Sequence, residues 1–130
     1  MSGKASRRRE LGDRGETIAA NYLKERGYEL LETNYRCPWG EVDLILREGD
    51  CLVFVEVRTR KGDSFGTPAE SVTYVKRERL IATAETYLQS LEVMPKEWRI
   101  DLVSIVFGGA GGRPRIEHIK NIVDVSGRSS

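Results

Sequence analysis

The stretch Cys51–Arg60, CLVFVEVRTR, sets the tightest limit on what this chain can fold into. Its first half is apolar at consecutive positions, Leu52, Val53, Phe54 and Val55, and is rich in β-branched and aromatic residues. Successive side chains of a strand point to opposite faces, so a strand apolar on both faces has to be covered on both. The stretch therefore reads as a central strand with a layer packed on either side, not as part of a sheet with one wet face. The preceding segment, Glu41–Arg47, alternates, with Val42, Leu44 and Leu46 expected on one face and Glu41, Asp43 and Ile45 on the other. Glu48-Gly49-Asp50 joins the two as a hairpin turn.

The remaining segments supply the covering layers. Leu11, Gly15, Ile18, Ala19, Tyr22 and Leu23 recur at helical spacing over Glu10–Arg26, and Gly27 is placed to end that helix. Tyr28–Arg36 reads as an edge strand, and Cys37-Pro38-Trp39-Gly40 as a turn. A second helix is predicted over Ala69–Leu91, with Leu80, Ala84, Tyr87, Leu88 and Leu91 as its apolar stripe. Trp98–Phe107 and Arg115–Val125 read as two further strands joined by the glycine-rich turn Gly108-Gly109-Ala110-Gly111-Gly112. The expected order is α-β-β-β-α-β-β, an α/β fold with one helix on each side of a sheet. With 130 residues there is room for one domain, expected over 10–125, between small polar tails at 1–9 and 126–130 expected to be disordered.

Charge and cysteine usage narrow the function classes. Lys and Arg total 21 against 20 Asp and Glu, a formal net charge of +1, so nucleic acid would have to be met by local clusters and not by a global positive field. Two cysteines without a CxxC pair, and a basic start with no apolar run after it, point to a reducing cytoplasmic setting. No apolar run approaches the ~20 residues that span a bilayer, so no membrane role is expected. His118 is the single histidine, which leaves zinc chemistry and histidine-based nuclease chemistry without ligands. The glycine run lacks the Lys and Ser/Thr of a phosphate-binding loop.

The chemistry sits where carboxylates interrupt the two apolar strands. Asp43 lies in Gly40-Glu41-Val42-Asp43-Leu44-Ile45 and Glu56 in Val53-Phe54-Val55-Glu56-Val57-Arg58. An ionised carboxylate among core residues costs several kcal/mol unless a cation, a metal or hydrogen-bond donors meet it. If the two strands are adjacent and antiparallel, the carboxylates approach each other and repel unless a divalent cation lies between them, and an oxygen-rich site of this kind suits Mg²⁺ or Mn²⁺. Glu56 and Arg58, two apart, share a strand face. Two metal ligands beside a cation are what phosphodiester hydrolysis requires. Arg58, Arg60, Lys61, Lys76, Arg77 and Arg79 can form a positive rim that reads a phosphate backbone. Either carboxylate alone would more often be a core acid paired with an arginine than a metal ligand, and Arg58 and Arg60 are available for such pairs. Asp101, in Arg99-Ile100-Asp101-Leu102-Val103, is read as a structural ion pair with a supporting role at the site as its alternative.

The spacing Asp43 … Glu56-Val57-Arg58 resembles the D…ExK signature of PD-(D/E)XK nucleases, including archaeal Holliday-junction resolvases. A longer set of motifs resembles the YraN family of bacterial proteins: Gly12-x-x-Gly15-Glu16-x-x-Ala19, Gly27-Tyr28, Asn34-Tyr35-Arg36, Gly40 to Ile45, Leu52 to Arg60, Phe65-Gly66 and Lys76. The resemblance covers about Leu11 to Val106. It implies a restriction-endonuclease-like fold, a central mixed five-stranded sheet flanked by helices, and a nuclease. It also implies Asp43 and Glu56 as metal ligands, with Glu16 as an additional carboxylate reaching the metal through water. The family has VEVKTR where this chain has Arg58. Arginine can hold a phosphate bidentately but stays protonated and cannot act as a base. Lys76, on the second helix, is the candidate for a compensating amine, against the alternative of a rim lysine lying over apolar neighbours.

Three functions follow. The first is a Mg²⁺- or Mn²⁺-dependent endonuclease cutting DNA, with branched or damaged DNA as the expected shape. The second is a nucleic-acid-binding module on the same fold whose hydrolysis is lost through Arg58. The third is a protein-partner adaptor that uses the carboxylates structurally. No residue marks a dimer surface; a homodimer is carried as the expected assembly only because resolvases cut two strands symmetrically.

Overall fold

The computed structural model describes residues 3–62, 72–108 and 112–123, with side chains from Asp13 onward. Five strands, β1 (Glu29–Cys37), β2 (Gly40–Glu48), β3 (Cys51–Lys61), β4 (Glu97–Phe107) and β5 (Arg115–Ile119), lie side by side in chain order in one sheet. β1, β2 and β3 form an antiparallel meander, β3 and β4 are parallel, and β5 is antiparallel to β4. The sheet is therefore mixed. A parallel neighbour needs a crossover, and helix α2 (Tyr74–Gln89) provides it. Helix α1 (Gly3–Glu25) covers the opposite face. This is the α/β arrangement expected of a restriction-endonuclease-like domain.

β3 is covered on both faces. Leu52 and Phe54 pack with Leu80, Ile81, Ala84 and Leu88 of α2, while Cys51, Val53 and Val55 pack with Ala19, Ala20 and Leu23 of α1. Each large side chain taken fully out of water in these layers contributes about 1.5–3 kcal/mol. The apolar run at the centre of β3 thus dictates the three-layer plan.

The elements depart from expectation at their ends, each time for a local reason. The backbone of α1 is helical from Gly3, not Glu10, and so extends through 3–9, the stretch read as a tail. Lys4, Ala5 and Arg7 to Arg9 are strong helix formers, and no proline or glycine separates them from the apolar-periodic segment. The helix stops as expected at Gly27 (φ 93°), and the Tyr28 N–H closes onto the Leu23 carbonyl at 3.1 Å. α2 begins at Tyr74 and not at Ala69. Thr73 is extended and caps the helix by accepting from the Lys76 N–H at 3.1 Å, while 69–71 lie outside the described residues. β5 ends at Ile119 and not at Val125. Asn121 takes a left-handed conformation (φ 55°), and the Ile122 N–H turns back to the Ile100 carbonyl at 2.8 Å. Val125 and Phe65-Gly66 also lie outside the described residues.

One departure concerns faces. Val42 does not join Leu44 and Leu46 against α1; it packs on the α2 side with Ile45 and Phe54. The period-two alternation of β2 slips between them, at Asp43. Among the described residues, no helix is long and apolar enough to cross a membrane.

Candidate active site

The slip at Asp43 opens the site. The β2–β3 ladder runs from Glu48↔Cys51 to Leu44↔Val55, so the next pair in register is Asp43 and Glu56. The strands part there. In place of a backbone partner, the Asp43 carboxylate accepts the Val57 N–H at 2.7 Å. On the other side of β2, Asn34 of β1 adopts φ 52°, a left-handed geometry that asparagine tolerates better than most residues. It lies opposite Asp43, between the register pairs Thr33↔Leu44 and Tyr35↔Val42. The conformational break thus occurs on both strands at the position that carries the acid.

Asp43 and Glu56 lie within hydrogen-bonding reach of one another. Burial pushes the Glu56 carboxyl up to about 7, and the charge of Asp43 adds to the shift against the pull of Lys76 and Arg58. Asp43 is also raised, again chiefly by burial, which outweighs the Val57 N–H. Glu56 is 5% exposed and faces the α2 side of the sheet. Lys76 Nζ, from the first turn of α2, lies 3.4 Å from its Oε2, and Arg58 Nε lies 3.5 Å from the same oxygen. The Thr73 cap starts α2 where Lys76 falls in its first turn, beside Glu56.

Glu16 reaches the edge of this cluster from α1. It is half-buried, and its carboxyl is raised by burial first and by the charge of Asp43 second, while a hydrogen bond from Asn34 works the other way. Gly15, the residue before it, lets α1 lie directly on β3: a Cβ there would stand 2.1 Å from Thr59 Cγ2. Among the described residues, no group of three His, Cys, Asp or Glu side chains is gathered closely enough to hold a metal. The pair Asp43–Glu56 stands as the core of the site, with Glu16 outside direct ligand distance.

The predicted rim is only partly assembled. Arg58 and Lys76 converge on Glu56. Arg60 follows on the Arg58 face of β3, and Lys61 is exposed at the strand's end. Arg79 packs against Gly40, and Arg77 turns its Nε to the Val72 carbonyl at 3.2 Å. Two contributors escaped the sequence reading. Asn34 is one: it enters there only within the Asn34-Tyr35-Arg36 motif, because its left-handed backbone leaves no mark in a polar edge strand. Ser104 is the other. It is the register partner of Arg58 across β3–β4 and is 1% exposed, and among the described residues its hydroxyl has no hydrogen-bond partner, as also holds for Arg58 Nε. A lone serine inside Leu102-Val103-Ser104-Ile105 was the available signal.

Asp101 belongs elsewhere. It pairs with Val55 in register, on the α1 side, and is completely buried. Arg99 Nε donates to it at 3.0 Å, the Asn121 N–H at 2.8 Å, and His118 Nε2 lies 2.8 Å away. These donors hold its carboxyl below the usual range despite burial. Its role is the structural pairing expected of it, and its side is opposite to that of Glu56.

The donor set fits a hard divalent cation. Two carboxylates, desolvated and mutually repelling, gain most from a shared cation. Mg²⁺ in particular takes one or two carboxylates and leaves its other positions to water and phosphate oxygens.

The chain matches the model of the uncharacterised protein family UPF0102 over residues 15–105. It is 47% identical over 119 residues to a UPF0102 protein of Roseiflexus castenholzii, covering 91% of this chain and 96% of the relative. It is 47% identical over 111 residues to one of Rhodococcus opacus, covering 85% and 93%. A UPF0102 protein of Dehalococcoides mccartyi is 45% identical over 117 residues, covering 90% and 95%. The matched span contains Gly15, Glu16, Asn34, Asp43, Glu56, Arg58, Lys76 and Ser104, so the site and the fold that carries it fall together inside one family: the chain belongs to UPF0102, the YraN family.

Proposed function

We propose that this protein is a Mg²⁺- or Mn²⁺-dependent endonuclease that hydrolyses phosphodiester bonds in DNA. The observation that carries the reading is the parting of β2 and β3 at the register pair Asp43 and Glu56, with Lys76 and Arg58 both on Glu56. Asp43 and Glu56 would hold the cation, and Glu16 would bind it through water. When bound, the cation supplies Lewis acidity to a phosphoryl oxygen and lowers the pKa of a water.

The chain's own residues do the rest. The Val57 N–H fixes the Asp43 carboxylate, and burial keeps the pair poorly solvated. Arg58 clamps the scissile phosphate, with its Nε and the Ser104 hydroxyl as donors on one sheet face. Lys76 supplies, from α2, the amine that the motif places at position 58. Arg60 and Lys61 extend the contact along the phosphate backbone, and Arg79 meets the nucleic acid in the neighbouring groove. Free Cys37 and Cys51 suit a reducing compartment such as the cytoplasm. A homodimer is the assembly such a nuclease would need to cut two strands symmetrically.

A binding module without hydrolysis is the second reading, and Arg58 in the lysine's place favours it. Cleavage of labelled duplex, single-stranded, flapped and four-way-junction DNA, with RNA counterparts, separates the two. The endonuclease reading predicts metal-dependent products that disappear in Glu56→Gln. Binding without products at any metal concentration would move the assignment to the module. Arg58→Lys tests the reason: cleavage unchanged by it would show that Lys76 already fills the role.

A further inference from the structure

Beside the carboxylate pair lies an open groove of about 830 Å³, between the β1–β2 turn and the start of α2. Its walls carry two large aromatic side chains in water, Trp39 at 62% and Tyr74 at 76% exposure. Exposed tryptophan on a hairpin turn is ordinarily mobile, but this turn is fastened to α2. Gly40 sits at φ 155°, a conformation other residues rarely adopt, with the place of its missing Cβ 3.1 Å from Thr83 Oγ1 and 3.6 Å from Arg79 Cβ, so a side chain there would press on α2. One residue before Pro38, the Cys37 thiol lies 3.8 Å from the same Thr83 hydroxyl. Trp39 is thus presented on a seated turn, and Tyr74 on the first residue of a capped helix.

Arg36 and Glu41, which pair with each other at 3.1 Å, line the groove together with Arg79 and Glu78. Equal numbers of cations and carboxylates make a poor bed for the phosphates of a duplex. They suit a base edge, whose ring nitrogens and carbonyl groups accept from arginine and whose exocyclic amines donate to carboxylates. An aromatic ring can stack only on a base whose face is not already covered by its neighbours in a helix. Two lining residues stand near the site along the chain. Glu41 precedes Asp43 by two residues and its charge raises the Asp43 carboxyl, and Tyr74 precedes Lys76 by two.

We infer that the groove between Trp39 and Tyr74 binds an unpaired nucleotide base by stacking, which makes single-stranded segments or flaps next to the cleaved phosphate the preferred substrate class. The inference rests on the nucleic-acid reading of the site. It does not need hydrolysis.

The test is binding by fluorescence anisotropy in the absence of divalent metal. The probes are an end-labelled oligothymidylate, a blunt duplex, the same duplex with a three-nucleotide flap, and that flap built from abasic residues. Trp39→Ala and Tyr74→Ala are each expected to weaken the single-stranded and flapped probes by about tenfold, the range of one lost stacking contact. Both should leave the blunt duplex unchanged, and Trp39→Phe should retain most of the affinity. The abasic flap should bind wild-type protein no better than the blunt duplex does. Equal losses on every probe, no loss on any, or an abasic flap as tight as the natural one would overturn the inference. Thermal melting of each variant separates a lost contact from a lost fold. Because binding is read without metal, a protein that stacks flaps but never cuts would refute hydrolysis and leave the groove standing, while cutting with no flap preference would do the reverse.

Discussion

At Glu56 a single carboxyl group links stability, pH and metal. The folded protein holds its proton more tightly than the unfolded chain does, at about 7 against 4.5. Its contribution to stability is therefore fully present below 4.5 and is lost as the pH rises through about 7, by up to about 3 kcal/mol. Glu56→Gln removes the titration. Urea unfolding without metal should show this variant more stable than wild type at pH 8, with the pH 5–7 slope flattened. A metal ion competes with that proton, so Mn²⁺ affinity measured calorimetrically should rise with pH through the same window and be absent in Glu56→Gln. Asp43 and Glu56 were legible in the sequence because an acid between β-branched residues is costly wherever it falls. Asn34 and Ser104 were not: one acts through its backbone angle, and the other through a neighbour contributed by a parallel strand some 45 positions away, as the register Arg58↔Ser104 shows.

At the scale of elements, the site depends on how closely α1 lies on β3. Gly15→Ala would set a methyl against Thr59 Cγ2, a γ carbon on a β-branched side chain with little freedom to move. The substitution improves helix propensity by about 1 kcal/mol, yet overpacking costs about 1–3 kcal/mol, so denaturant midpoints should fall. Thr59→Ser removes the obstructing methyl. The double variant Gly15→Ala/Thr59→Ser should recover wild-type stability or exceed it, and a double variant as weak as Gly15→Ala alone would place the strain elsewhere. The elements themselves were readable from periodicity, the doubly apolar β3 most firmly. Their ends were less so, since the Thr73 cap and the Asn121 turn depend on backbone conformations that composition does not specify. The face change at Val42 is of the same kind: strict alternation predicts a straight strand, and β2 slips where its acid must leave the ladder.

Over the whole molecule, two charged clusters divide the sheet between them. On the α2 face, Asp43 accepts the Val57 N–H while Lys76 and Arg58 stand beside Glu56, the pair proposed above to take a cation. On the α1 face, Asp101 is satisfied by Arg99, His118 and the Asn121 N–H, which tie β4 to β5 and to the segment after it. Removing one partner from such a buried set costs about 3–5 kcal/mol. Asp101→Asn should therefore lower stability by that order in urea, with residual cleavage per folded molecule unchanged, whereas Asp43→Asn should abolish cleavage with stability kept or raised. The sign of the pH effect also reverses. Asp101 is held below its usual 3.8, so its contribution is present above that value and is lost as the pH falls through the lower, folded-state one. The proposed function makes the pair at the parting of β2 and β3 a metal-dependent hydrolytic centre. Single-turnover cleavage of a flapped or four-way-junction DNA, with Mg²⁺ titrated against wild type and Asp43→Asn, tests it most directly. Products should appear with metal and vanish in the variant; metal-independent cleavage, or equal rates in the two proteins, would overturn the assignment.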